Sequence, residues 1–204
     1  MIIRVVKYSF DYTDLNPFEL VLRSRCGKVV MERNLLILGA GIYSLVAYEI
    51  AVDMGCFGRI DFADDGREYA YNGSKVVGGT EDLGVYSADY TDIAVAIGNP
   101  AVRLSLISKI KSDTECNVAT LVSPKAYIAP SALIGCGCVI EPMAVVHSGC
   151  VLSDGCIVSA GAVVNHAAKC LLGVHVDCNA TVPGNVIVPE GTKVKSGTVF
   201  DDRI

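Results

Sequence analysis

The sequence predicts a small α/β domain followed by a coiled β-solenoid of about four turns. Three observations carry this reading. Short apolar runs ending in glycine, Leu35 to Gly39 and Ile93 to Gly98, are separated by segments with helical spacing. From Ile128 to Val194 an inward-type apolar residue recurs at every sixth position. Charged residues make up only 19% of the chain, and 20 glycines divide the hydrophobicity into short segments. No apolar run approaches the ~18 residues of a membrane span.

In chain order, residues 1 to 30 show apolar pieces (Ile2 to Val6, Phe18 to Leu22) without a period. They are taken as an extension, and Met31, directly before the first strand, would make a natural start. Asn34 to Leu38 reads as a buried strand running into the turn Gly39-Ala40-Gly41. Ile42 to Met54 has apolar residues at helical spacing (Ile42, Leu45, Val46, Ile50, Met54), with Gly55 placed to cap its end. Arg59 to Ala63 is a second strand ending in Asp64-Asp65-Gly66, and Asp92 to Gly98 a third. Asn99-Pro100 opens a helix to about Lys111, with proline in the first turn. Asn117 to Val122 is a last strand. Strand and helix alternate, so a parallel, Rossmann-like sheet is expected over 31–122.

The second half, 123–204, repeats by six. Ile128, Ile134, Ile140, Val146, Leu152, Val158, Val164, Cys170, Val176, Val182, Val188 and Val194 form one series. Two positions before each stands a small or β-branched residue, among them Cys138, Ala144, Cys150, Cys156 and Ala162. Neither 3.6-residue nor two-residue periodicity produces a strict six. Each six residues make one short strand and one corner, and three make a coil of about 18 residues. The large aliphatics fill the prism and the small residues fit its corners. A single coil buries little, so stacking supplies the core.

Charge and cysteine content narrow the function. The net charge of −5 disfavours nucleic acid as a partner. Nine cysteines without a secretory signal or a CxxC pair point to reduced thiols in a cytoplasmic protein. The turn Gly39-Ala40-Gly41-Ile42-Tyr43-Ser44 lacks the third glycine of G-x-G-x-x-G. A plain βα turn, a nicotinamide site and a nucleotide-sugar site all remain open there. Asp64 and Asp65 stand where ribose hydroxyls or a base edge would be bound.

A glycine-rich α/β domain, Ala96-Ile97-Gly98-Asn99 opening a helix, and hexapeptides carrying Asn165-His166 and Gly173-Val174-His175 together resemble the bacterial sugar O-/N-acetyltransferases of the NeuD and PglD type. The resemblance implies a left-handed parallel β-helix, a homotrimer with sites between subunits, and acetyl-CoA as co-substrate. It implies His166 as general base and His175 and Gly184 in the acetyl-CoA site. It also implies a nucleotide-linked sugar bound by Gly39, Gly41, Asp64, Asp65, Gly98 and Asn99. No metal is expected.

The residues make chemical sense of these roles. Acetyl transfer to an amine or hydroxyl needs proton removal, which a neutral imidazole performs near pH 7. His166 and His175 are half a coil apart, so in one chain they belong to different sides of the prism and share a substrate only across an interface. Departures from the family pattern are Ala167 for an acidic residue, Ser159 for an asparagine, and Ile42-Tyr43-Ser44 for a Gly-His-Gly ending. The solenoid is also about two coils shorter than usual. Ser148, one coil before His166, is then expected to orient the imidazole. Two rivals are a nucleotide-sugar-binding module without catalysis and a γ-carbonic-anhydrase-like zinc enzyme. The second uses three histidines, here His147, His166 and His175, with two of them in register on separate coils, and His147 to His166 is one residue out.

Overall fold

A computed structural model of the chain describes residues 33–201; the extension expected over 1–30 lies outside them. Strands β1 (Asn34–Leu38), β2 (Arg59–Ala63), β3 (Asp92–Val95) and β4 (Asn117–Val118) form a parallel sheet in the order β2-β1-β3-β4. Helix α1 spans Ile42–Met54, a short α2 spans Leu83–Tyr86, and α3 spans Pro100–Asp113. Leu35, Leu36, Ile37 and Leu38 are fully buried, as expected of a central parallel strand.

Two expectations are corrected. The stripe that α1 buries is Ser44, Ala47, Ile50 and Ala51, whereas Ile42 is exposed. Close packing selects small side chains on that face. The run 117–122 is not one strand: after β4 the chain changes sheets, and β5 (Leu121–Val122) pairs with Val139–Ile140 of the solenoid.

The solenoid is a three-faced parallel β-helix of two-residue strands. The first face stacks β5, Val139–Ile140, Ile157–Val158, His175–Val176 and Lys193–Val194. The second stacks Tyr127–Ile128, Val145–Val146, Val163–Val164 and Thr181–Val182, and the third runs from Leu133–Ile134 to Ile187–Val188. In each strand the second residue points inward. With the small corner residues these form one buried cluster that includes Val158, Cys138, Cys150, Cys156 and Cys170. Eight of the nine cysteines lie among the described residues, and all eight are free thiols.

Every corner from Gly137 to Gly197 places one residue at positive φ, six apart. At Gly173 (φ 66°) the Leu171 carbonyl accepts the Val174 N–H, a turn that needs the left-handed region at its third residue. Glycine fills most of these positions, while Met143, Ala167, Asn179 and Asn185 fill the rest.

The α/β domain rests on the first face. Outward-pointing Leu121, Val139 and Ile157 join one apolar cluster with Ala40, Ala47, Ile50 and Ala51. Helix α3 lies along the adjoining corner. Ile107 covers Gly137 and Gly155, Leu104 covers Gly155 and Gly173, and Pro100 covers Gly173 and Gly191. A Cβ on Gly155 would stand 3.0 Å from both Ile107 and Leu104, so the corner glycines permit this approach.

Candidate active site

The sheet's strand order reverses direction at β1, so the loops leaving β1 and β3 flank a topological switch point at their carboxyl ends, the crevice position at which open α/β sheets bind ligands. Gly39 holds φ at +104°, and a Cβ there would stand 2.9 Å from Ile97 Cδ1. The turn therefore presses against the end of β3. Asp64 secures it: Oδ2 accepts the Ala40 N–H at 2.8 Å and Oδ1 the Gly66 N–H at 2.9 Å. Asp65 accepts from the Thr80 N–H (2.6 Å) and hydroxyl (2.8 Å). Gly41 opens α1 without a side-chain cap, leaving main-chain donors at the helix start. Asn99 caps α3 through Oδ1 and the Val102 N–H at 3.2 Å. The Gly98 carbonyl is taken by Arg103 at 2.9 Å. The six expected sugar-binding residues thus share one edge of the sheet, with Asp64 and Asn99 shaping the loops themselves.

His166 lies on the solenoid corner between Val163–Val164 and Lys169–Cys170, opposite the face that carries the α/β domain. Asn165 Oδ1 accepts the His166 main-chain N–H at 2.9 Å and stands 3.0 Å from Nδ1. With the proton on Nδ1, directed at that amide oxygen, Nε2 keeps its lone pair. The ring lies directly over Gly184, one coil on: a Cβ there would be 2.7 Å from both Cε1 and Nε2. The expectation that Ser148 orients the imidazole is corrected. Ser148 meets this turn through its carbonyl, which accepts the Ala167 N–H at 2.9 Å, and the neighbouring Asn165 supplies the contact to the ring. Ala167 follows at φ 55°.

His175 is placed elsewhere, on the first face next to Ile157 in the ladder. Its Nε2 lies 3.0 Å from Ser159 Oγ and 3.8 Å from Asp177, and Asp177 in turn pairs with Lys193 at 2.9 Å. Burial, and then the Lys193 charge, push the imidazole down to about 4, so the ring is neutral near pH 7. A coil below, Tyr43 from the first turn of α1 donates to Glu141 Oε1 at 3.2 Å, and Glu141 Oε2 accepts the Ala160 N–H at 2.9 Å. Burial, then the Glu141 charge, hold the Tyr43 hydroxyl well above its ordinary pKa. Within one chain the structure therefore joins His166 to Gly184 and His175 to Ser159, and keeps the two pairs apart. Arg103, Tyr43 and Glu141 were not singled out from the sequence. Only Tyr43 carried a signal, as part of the altered glycine-rich turn.

Among the described residues no group of three His, Cys, Asp or Glu side chains is arranged to hold a metal, and no helix is long and apolar enough to cross a membrane.

Comparison with known proteins settles the family. The PglD N-terminal domain family matches residues 34–110. The acetyltransferase domain of PglB from Neisseria gonorrhoeae FA1090, in complex with acetyl coenzyme A, is 34% identical over 82% of each chain, with a TM-score of 0.78. The chain belongs to the NeuD/PglD-type sugar acetyltransferases. It is an acyltransferase, and its solenoid is the left-handed β-helix of that family. Two more distant structures share the fold. WeeI from Acinetobacter baumannii AYE is 18% identical over 82% of this chain and 88% of its own, with a TM-score of 0.58. PerB from Caulobacter crescentus, in complex with CoA and GDP-perosamine, is 17% identical over 79% and 91%, with a TM-score of 0.56. No curated protein sequence matches the chain.

Proposed function

We propose that this acyltransferase moves the acetyl group of acetyl-CoA onto an amino or hydroxyl group of a nucleotide-linked sugar, a precursor of a surface glycan, with His166 as general base. The observation that carries the reading is the seat of His166: Asn165 holds Nδ1, Gly184 supports the ring, and Nε2 is left as the acceptor. The sugar nitrogen or oxygen attacks the thioester carbonyl while Nε2 takes its proton. The tetrahedral intermediate then collapses, expelling the CoA thiolate, which is protonated to the free thiol. No covalent enzyme intermediate is needed, and four of the eight free cysteines, Cys138, Cys150, Cys156 and Cys170, are buried in the solenoid core.

The acetyl-CoA complex of the gonococcal PglB domain supports the choice of donor. His175 and Gly184 would hold the thioester end, Gly184 through its main chain beside the His166 ring. The crevice edged by Gly39, Gly41, Asp64, Asp65, Gly98 and Asn99 would take the nucleotide sugar, with phosphate near the uncapped start of α1. The working unit is a homotrimer in the cytoplasm. Supporting it are the exposed outward residues Tyr127, Leu133 and Ile187 on the second and third faces, and the separation of His166 from His175 within one chain. The domains that carry these roles are 31–122 for the sugar and 123–204 for the transfer, with Leu121–Val122 at the end of the first already stacked on the solenoid.

The test is a thiol-release screen of UDP- and dTDP-linked amino sugars with acetyl-CoA. Release of CoA thiol with at least one acceptor is expected, and its absence with all of them refutes the reading. Sedimentation as a stable 21.5 kDa monomer at micromolar concentration would refute the trimer.

A further inference from the structure

Arg103 is a fully buried arginine whose guanidinium meets only carbonyl oxygens. Nε donates to Gly155 at 2.7 Å and Nη2 to Gly173 at 2.7 Å. Nη1 donates to Ile97 at 2.7 Å and to Gly98 at 2.9 Å. Among the described residues no carboxylate pairs with it. Burial of an unpaired cation is costly, and an apolar side chain of similar size would fill the space without that cost. What an apolar side chain lacks is the rigid planar fork, which fixes several acceptors at set angles.

The acceptors reveal what the fork fixes. Ile97 and Gly98 form the turn that leaves β3 and lines the crevice. Gly155 and Gly173 are corners of successive coils, and Gly173 stands two residues before His175. Pro100 and Leu104, on the same helix face, pack on Gly173 as well. One side chain thus bonds to a peptide at the crevice and to another leading into the histidine strand. In the first turn of α1 Tyr43 makes a comparable fastening to Glu141.

We propose that Arg103 is a positioning residue that locks the Ile97–Gly98 turn to the Gly173–His175 strand, holding the sugar crevice and His175 at one spacing during turnover. The inference rests on the functional reading above for what those two places bind. It concerns alignment and not affinity, because every guanidinium nitrogen already bonds a carbonyl and the side chain is fully buried.

The experiment uses Arg103→Lys and Arg103→Met in the full chain. Amide hydrogen exchange, the Kd of acetyl-CoA and of the best nucleotide sugar measured separately, and kcat are compared with the unmutated protein. Faster exchange confined to residues 96–101 and 172–176 is expected in both variants. Each Kd should stay within about 3-fold, while kcat falls about 10- to 100-fold, the usual effect of a misplacement near 1 Å. Arg103→Lys keeps a cation on a flexible stem and guards against a Met variant that fails to fold. Unchanged exchange at both segments overturns the lock. A folded Lys variant with kcat within 2-fold of the parent overturns its role in alignment, as does failure of both variants to fold, which marks a purely structural group. If the unmutated protein releases no thiol with any acceptor, the functional reading fails, and the exchange result still decides the lock.

Discussion

Gly184→Ala is the sharpest perturbation of the proposed base. A Cβ at this position would stand 2.7 Å from His166 Cε1 and Nε2 and 3.1 Å from Nδ1. Non-bonded carbon contacts settle at about 3.5 Å or more, so the ring must retreat by about 0.8 Å. It can do so cheaply, since it is exposed on a corner. Stability should change by less than about 1 kcal/mol, within the range of a surface substitution. The retreat carries Nε2 off its place and pulls Nδ1 from Asn165, now at 3.0 Å. A misplacement near 1 Å costs on the order of 100-fold in rate. The assay is thiol release at saturating acetyl-CoA, set beside a thermal melt of the same sample. A variant with unchanged melting temperature and kcat within 2-fold of the parent would refute the claim that the seat of the ring on Gly184 matters to the chemistry.

Three further outcomes are expected. His166→Ala should lower kcat by about 10²–10⁴-fold, the usual contribution of general base catalysis, and near-parental turnover would remove the histidine from the mechanism. His175 predicts a pH dependence of stability: its pKa lies near 4 in the fold, against an ordinary 6.5, so between those values the unfolded chain binds a proton that the folded ring refuses. Stability from this group is therefore full above about pH 6.5 and lost as pH falls toward about 4. At 1.36 kcal/mol per pK unit the full shift is about 3 kcal/mol, which partial solvent screening reduces to about 1–2 kcal/mol. His175→Gln should accordingly lose less melting temperature than the parent between pH 7 and pH 4.5, and equal losses would contradict the burial argument. Ala167→Gly relieves a non-glycine residue at φ 55° and should stabilise the protein by about 1 kcal/mol, read as a higher melting temperature.

Much of the architecture was legible because its signals are local or strictly periodic. Gly41 and Gly55 bracket α1, and the helix runs from Ile42 to Met54 as its flanks imply. The repeat of six named the inward residue of every solenoid strand from Ile128 onward, since each coil must solve the same packing problem. What escaped depends on partners distant in sequence. Arg103 shares the stripe of α3 that buries Ile107 and Ile110, but a charged side chain there carries no apolar signal, and its acceptors at Gly155 and Gly173 lie 52 and 70 residues away. The buried face of α1 is set by how closely Ala47 and Ala51 let the helix approach, which hydrophobicity does not encode. Between β4 and β5 the chain passes from one sheet to another through Ala119 and Thr120, with no glycine or proline to mark the change. At the candidate site the coil register placed Gly184 one coil above His166, but the choice of Asn165 over Ser148 as the ring's partner is a matter of side-chain reach within one turn.

The seam between α3 and the corner glycines joins two different periodic objects. Pro100, Leu104 and Ile107 step down the helix by about one turn each, while the glycines they meet step up the solenoid by one coil each. A helical turn advances about 5.4 Å and stacked strands about 4.8 Å, so the two scales slip by about 0.6 Å per step. Across the few steps in contact here, flexible side-chain tips absorb the accumulated offset. Over roughly twice that length the teeth would fall half a step out of phase and ridge would meet ridge. The seam is a vernier with a built-in limit of a few coils. A whole coil added beyond Gly191 would lie outside its reach, so the solenoid can change length at that end without disturbing how the two halves are joined.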